Sequence, residues 1–403
     1  MEIVAEAAKA QSLPLIASPE KKPGRLLFLD GLRGVAALAV IVFHVYDQDT
    51  SPLHHILSRM PALFRWLMMQ GNHGVEIFFV LSGFVIARSV GRDWVSLRFL
   101  GRFALRRSLR LDPPYWAILS IVLLLKVVLV HHDPNVSWFK GKGFDRLDMI
   151  SNYLYLQTLL QRRIVLGVSW TLCLELMFYL TYVFLLGIAQ RSSMLFHRRG
   201  GSGSQSEHVR PDLLPLTVIF GSTFVCSIWL WYVHELGQWG HNGWFMYIGR
   251  WHMFFTGALL QWVLGRWAPK SFLAGSLVVI AALALWGKWA HGEIEMGGIV
   301  VASTAVLIFA ANALDRWDRW LSGPVIQHMG RISYSIYLVH LPACTFVSAT
   351  CIHFLGQRPL AAVVAIPACF AMSIGVAQLC YWLVEKPSLS LSQKVKVHRL
   401  AVK

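Results

Sequence analysis

Ten apolar stretches of 17 to 24 residues, separated by polar segments, recur along this 403-residue chain, at 29–47, 74–90, 112–131, 169–189, 213–233, 245–264, 272–290, 297–313, 332–354 and 361–384. A helix of about 20 apolar residues crosses the hydrocarbon core of a bilayer. An eleventh stretch, 148–162, is short and is broken by Asn152, Gln157 and Gln161. Segments of that kind are more often re-entrant or interfacial than spanning. The pattern predicts an all-α polytopic bundle of about ten spans. Its organisation reads as a tail at 1–28, a transmembrane domain at 29–388 and a second tail at 389–403. No internal repeat is visible, so the inverted-repeat signature of many transporters is missing.

Charge then orients the bundle. With the N-terminus inside and 148–162 not spanning, the cytoplasmic segments hold 24 Lys and Arg and the outer segments 8. This bias follows the positive-inside rule and puts both ends in the cytoplasm. Counting 148–162 as a span would move His197, Arg198 and Arg199 outside and invert everything after them. Residues 1–28 lack the long apolar run and cleavage site of a signal peptide. The loop 190–212 is rich in Gly and Ser, the composition of a flexible linker.

Composition agrees. Hydrophobic residues make up 56% and charged residues 14%, against about 25% charged in soluble proteins; mean hydropathy is +0.52. A net charge of +16 would suggest nucleic acid in a soluble chain. Here topology accounts for it, and no nucleic-acid partner is expected. The six cysteines all lie in apolar stretches without a CxxC pair, so neither a disulfide framework nor a metal site is expected. Oligomeric state leaves no trace in the sequence.

Ionisable groups inside spans are costly and raise a functional hypothesis by default. Span 1, LFLDGLRGVAALAVIVFHVY, carries Arg33 near its inner end and His44 near its outer end, eleven residues apart. At 100° per residue the net rotation is about 20°, so both lie on one stripe. The axial separation is about 16 Å. Span 2 begins GVEIFFVLSGFVIA from the outer side, which places Glu76 roughly level with His44. Span 4 begins SWTLCLELMFYLTY and brings Glu175 near the same level. A carboxylate holding one imidazole nitrogen makes the other a better base. Either Glu76 or Glu175 fits that role, with an interhelical polar contact as the plainer alternative for each.

The segment RFLGRFALRRSLRLDPPYW gathers Arg98, Arg102, Arg106, Arg107 and Arg110. As a helix it would put Arg102, Arg106 and Arg110 on one face. Guanidinium forks suit phosphates, so the patch fits a phosphorylated soluble ligand, or equally a topology signal with anionic membrane lipid. In GRISYSIYLVHLP, His340 lies mid-span behind Tyr334 and Tyr337, a second candidate for chemistry or a satisfied structural histidine. Trp229, Trp231, Trp239, Trp244 and Trp251 gather at the outer side with Arg250 and His252. They read as an interface belt or as stacking surfaces for a sugar.

The stretches FLDGLRGVAALAVIVFHV, GVEIFFVLSGFVIA, RRSLRLDPPYW, SWTLCLELMFYL, GRISYSIYLVHLP and YWLVEKP resemble the membrane acyltransferase 3 family, over about 28–388. The Arg33–His44 spacing and the GVxIFFVLSGF stretch make the resemblance specific. It implies a multi-pass O-acyltransferase of the bacterial cytoplasmic (inner) membrane. Such an enzyme takes acetyl or another acyl group from cytoplasmic acyl-CoA and passes it to a hydroxyl on an extracytoplasmic glycan. It further implies that His44 is the base or acyl-handling residue and that Arg33 helps bind acyl-CoA. Arg106, Arg107 and Arg110 match the segment that serves the CoA phosphates. Glu175 and His340 fall on SWxLxxE and YSxYLxH patterns, while Asp112 stands where an apolar or Tyr residue is expected. Some members carry a further periplasmic esterase-like domain after the bundle, which these 403 residues are not expected to include. No Ser or Cys nucleophile is evident beside His44, so direct transfer is expected over an acyl-enzyme. Two alternatives stand beside this reading: an acyltransferase for a macrolide, peptide or lipid, and a secondary transporter.

Overall fold

The computed structural model describes residues 26–46, 54–91, 93–132, 144–199, 212–235, 243–291 and 294–397. Among them the regular elements are helical. They are α1 Leu27–Tyr46, α2 His54–Leu57, α3 Ala62–Met69, α4 Gly74–Val90, α5 Leu97–His132, α6 Arg146–Tyr153, α7 Ser169–Arg199 and α8 Leu213–Glu235. There follow α9 Gly243–Leu264, α10 Lys270–His291, α11 Met296–Ala313, α12 Pro324–Arg331, α13 Ser333–Leu355, α14 Pro359–Cys380 and α15 Lys386–Lys394.

Nine helices among the described residues are long and apolar enough to cross a membrane. They coincide with nine of the ten expected spans. The tenth, at 245–264, is α9, which has the length but carries Arg250, His252, Thr256 and Gln261. Nearly every residue from Trp251 to Leu260 is buried, so this helix meets protein rather than lipid and needs no apolar surface all round. The other helices are apolar on both sides. Leu124, Val225, Val278 and Val363 point outward and are each more than 60% exposed. Lipid accepts such a surface and water would not. The chain is therefore a multi-pass helical bundle.

Lipid tails supply no hydrophobic drive for helices to pair, so close packing has to hold the bundle. α4 and α9 show how. A Cβ on Gly83 would overlap the carbonyl oxygen of Phe254, and a Cβ on Gly257 would overlap that of Val80. Each glycine lets the other helix's backbone in, and Phe79 stacks on Phe254 at 4.2 Å beside the crossing.

Three local features shape the site. The arginine segment and the third span form one 36-residue helix, α5, running through Pro113 and Pro114. The regular helix that enters the 148–162 stretch is the eight-residue α6, Arg146–Tyr153, capped by Asp145, whose side chain accepts from the Asp148 N–H. The hydrogen bond from Arg162 to Asp145 holds that carboxyl below the usual carboxylate range. Between α14 and α15 lies a π-helical turn, Tyr381–Glu385. Pro387 has no N–H for the Leu383 carbonyl, so the helix cannot keep its i→i−4 register there, and the turn absorbs the slip. The helix continues past residue 388, where a tail was expected, and Leu389 and Gln393 still line the central cavity. Of the expected tails, residues 1–25 and 398–403 lie outside the described residues.

Candidate functional site

A cavity of about 620 Å³ lies among α1, α4, α5, α7, α12, α13 and the π-turn. Arg33, Arg107 and Arg110 line it, with Arg331, Asp30 and Glu385; Phe78, Val75, Thr171 and Tyr337 are also in its wall. Of the arginines on α5, the structure brings Arg107 and Arg110 to the cavity, while Arg102 is exposed. The face that matters is 103/107/110/111 rather than the expected 102/106/110, because α5 is rotated so that Phe103 is buried. Arg106 is half-buried and is not part of the wall. Arg107 bonds Ser89 Oγ at 3.2 Å and lies over the rings of Tyr179 and Phe103. Arg33 and Arg110 both line the cavity, and neither forms a hydrogen bond or ion pair with the described residues. Two guanidinium groups with no hydrogen-bond or ion-pair partner among the described residues leave donors that an anion could take up.

His44 lies beyond the other end, one ring past Tyr337. The rings of Tyr337 and His340 are 5.7 Å apart, and those of His340 and His44 are 4.9 Å apart. His340 Nδ1 lies 3.1 Å from the Ile336 carbonyl. A carbonyl only accepts, so that nitrogen carries the proton and Nε2 is an acceptor. Facing it at 3.3 Å is His44 Nδ1, which also lies 3.0 Å from the Val40 carbonyl. Both partners accept, so the His44 proton is on Nδ1 and its lone pair is on Nε2. His340 is fully buried. His44 thus has a second imidazole beside it, from 296 positions away in the sequence.

The two carboxylates lie elsewhere. Glu175 accepts from Ser82 Oγ at 2.5 Å and from the Tyr179 hydroxyl, on the cavity wall. Ser82 is six residues along α4 from Glu76, so Glu175 lies about 9 Å deeper than Glu76. Glu76 faces His73 at 3.6 Å and the start of α11. Neither carboxylate is hydrogen-bonded to His44. On α9, Arg250 lies over the ring of Trp170 at 5.7 Å. His252 is fully buried against Ser227 Oγ, 3.1 Å away, and does not line the cavity. Trp231 and Trp251 are buried, whereas Trp229 is 64% exposed. The side chain of Trp244, and Trp239 altogether, lie outside the described residues. Tyr334 lines the cavity and donates to the Leu111 carbonyl at 2.7 Å. Asp112 accepts from Ser108 and Tyr155, so its departure from the family pattern is satisfied locally.

Sequence reasoning missed Glu385, Ser335, Tyr179 and Arg331. Glu385 belongs to YWLVEKP, but nothing in the sequence shows that a π-turn brings it onto the cavity. Arg331 reads as one more inner-loop cation. Among the described residues no three His, Cys, Asp or Glu side chains gather as a metal site would require.

The site is thus a membrane-embedded cavity whose wall carries arginines and carboxylates, with the His44–His340 imidazole pair beyond Tyr337. The acyltransferase 3 family model, described as an acyltransferase domain, matches residues 26–382, and the chain belongs to that family. It is 22% identical over 369 residues to the O-acetyltransferase OatA of Staphylococcus aureus (strain NCTC 8325 / PS 47), covering 85% of this chain and 53% of that protein. It is 22% identical over 383 residues to the peptidoglycan O-acetyltransferase OatA of Listeria monocytogenes serovar 1/2a, covering 89% of this chain and 55% of the relative. The chain thus spans about half the length of these curated relatives. No solved structure matches it.

Proposed function

We propose that this chain is an acyl-CoA-dependent O-acyltransferase of the bacterial inner membrane, moving an acyl group, by default acetyl, from the cytoplasmic side to a hydroxyl of an extracytoplasmic glycan. One observation carries the reading: Arg33 and Arg110 line the cavity with no ion-pair partner among the described residues, and the His44–His340 pair lies beyond Tyr337. The family supports acyl transfer, and relatives named O-acetyltransferase support a hydroxyl acceptor. The donor's phosphates sit on Arg33, Arg107 and Arg110, and its arm runs along α1. The stripe from Arg33 to His44, about 16 Å long, matches an extended pantetheine arm.

The chemistry follows from the tautomers. His44 Nε2 takes the proton of the acceptor hydroxyl as its oxygen attacks the thioester carbonyl. The imidazolium that forms keeps Nδ1–H on His340 Nε2 and Val40 O, and both strengthen as charge appears. The tetrahedral intermediate collapses by breaking the C–S bond, and the leaving thiolate takes the proton from Nε2. A neutral imidazole supports the cation less than a carboxylate would, but its burial costs less when His44 is uncharged. Glu175, held by Ser82 and Tyr179, helps position Arg107 through the Tyr179 ring.

The test is release of free thiol from acetyl-CoA by purified protein. Wild type releases thiol, and His44→Ala does not while still binding acetyl-CoA. Normal turnover by a folded His44→Ala protein would remove His44 from the chemistry.

A further inference from the structure

Glu385 is 5% exposed and occupies the last position of the π-turn. One carboxylate oxygen, Oε2, accepts from Ser335 N–H at 3.2 Å and from Ser335 Oγ at 2.5 Å. These bonds fix the side chain against the first turn of α13. The other oxygen, Oε1, has no hydrogen-bond partner among the described residues, yet it is not one of the buried unpartnered atoms. It therefore faces open space, and the space beside Glu385 is the cavity. Among the described residues no guanidinium comes within the 4.0 Å of an ion pair, although Arg110 and Arg33 line the same cavity. A carboxylate placed to balance the arginines would touch them. This one is held away from them with an acceptor turned to the ligand space.

Its depth says which part of a ligand it meets. Ser335 precedes His340 by five residues on α13, which is about 7.5 Å along the axis. In an acyl-CoA the second amide nitrogen of the pantetheine arm stands seven bonds from the thioester sulfur. With bonds of about 1.5 Å at tetrahedral angles, that is a reach of about 9 Å. The first amide nitrogen, three bonds from sulfur, would stop well short of Glu385, and the phosphates lie farther on, at the arginines.

Resting on the donor reading above, we infer that Glu385 Oε1 accepts the N–H of the second pantetheine amide. It thereby sets how far the arm advances and holds the thioester level with His44. A carboxylate is the strong form of such an acceptor. The π-turn is the device that supplies it, since an uninterrupted α-helix would rotate residue 385 off the cavity by roughly one residue's turn of 100°.

The experiment compares two ligands on one protein: acetyl-CoA, and adenosine 3′,5′-bisphosphate, a phosphorylated fragment without the arm. In Glu385→Gln the amide oxygen keeps the Ser335 bonds and an NH2 group faces the cavity, donor against donor. Binding of acetyl-CoA weakens about tenfold, while the bisphosphate binds as in wild type and so reports the fold. Glu385→Asp, which withdraws the acceptor by about 1.5 Å, gives the same selective loss if the Gln variant folds poorly. Equal weakening of both ligands, or of neither, overturns the assignment. Wild-type protein that binds neither ligand overturns the donor reading itself, and the role of Glu385 goes with it.

Discussion

Replacing His340 by Phe tests the imidazole pair most sharply. The ring is kept, so the packing against Tyr337 survives; the acceptor for His44 Nδ1–H is lost, together with the Nδ1–H bond to the Ile336 carbonyl, which lies within α13's own turn. Two acceptors share that proton, His340 Nε2 at 3.3 Å and Val40 O at 3.0 Å. The variant keeps the second. The His44 tautomer is therefore retained, and the loss is one hydrogen bond that strengthens as the imidazolium forms. Such a bond contributes about 1.5 kcal/mol, and each 1.36 kcal/mol is a factor of ten in rate. The expected fall in kcat is thus on the order of tenfold, with the Kd of acetyl-CoA unchanged. His340→Gln, whose amide oxygen can stand in for Nε2, should recover part of it. The assay is thiol release at saturating acetyl-CoA beside a binding measurement. A thousandfold loss would mean that His340 handles a proton itself. An unchanged kcat would mean that the pair does not position His44.

Other substitutions probe the remaining parts. Arg33→Ala or Arg110→Ala should weaken acetyl-CoA binding by about tenfold or more, through loss of a charge-assisted contact. Arg102→Ala, off the cavity, should leave binding unchanged, and titration of acetyl-CoA into each purified protein checks all three. Gly83→Val or Gly257→Val must push α4 and α9 apart, a cost of about 3 kcal/mol or more by overpacking. Both should lower the thermal midpoint in detergent, while Gly101→Ala, which meets nothing within 4 Å, should not.

The spans were legible because lipid imposes apolarity on every helix that faces it. Only α9 falls short of that signal, being an inner helix whose Arg250, His252 and Gln261 meet protein. The arginines were legible as a group, but not the face they use. That face depends on the rotation of α5 through Pro113 and Pro114, which packing sets. Arg33 and His44 were readable as one stripe because both belong to one helix. The partner of His44 was not, since a contact across 296 positions leaves no local pattern. Glu76 is turned to His73 and the start of α11, and Glu175 lies at another depth. Glu175 sits on Ser82, well below Glu76, and helix ends in the sequence do not fix axial register that closely. Glu385 was hidden because a π-turn changes the phase that sequence reading assumes.

On the proposed reading an acyl group enters at the arginines and leaves at His44 on the opposite face. Sealed vesicles of one protein orientation, given acetyl-CoA labelled in the acetyl group on the arginine side only and a soluble glycan on the other, measure this directly. Wild type should label the glycan, and His44→Ala should not, although that protein still binds acetyl-CoA. Labelled glycan made equally well by folded His44→Ala, or made only when donor and glycan share one side, would contradict it.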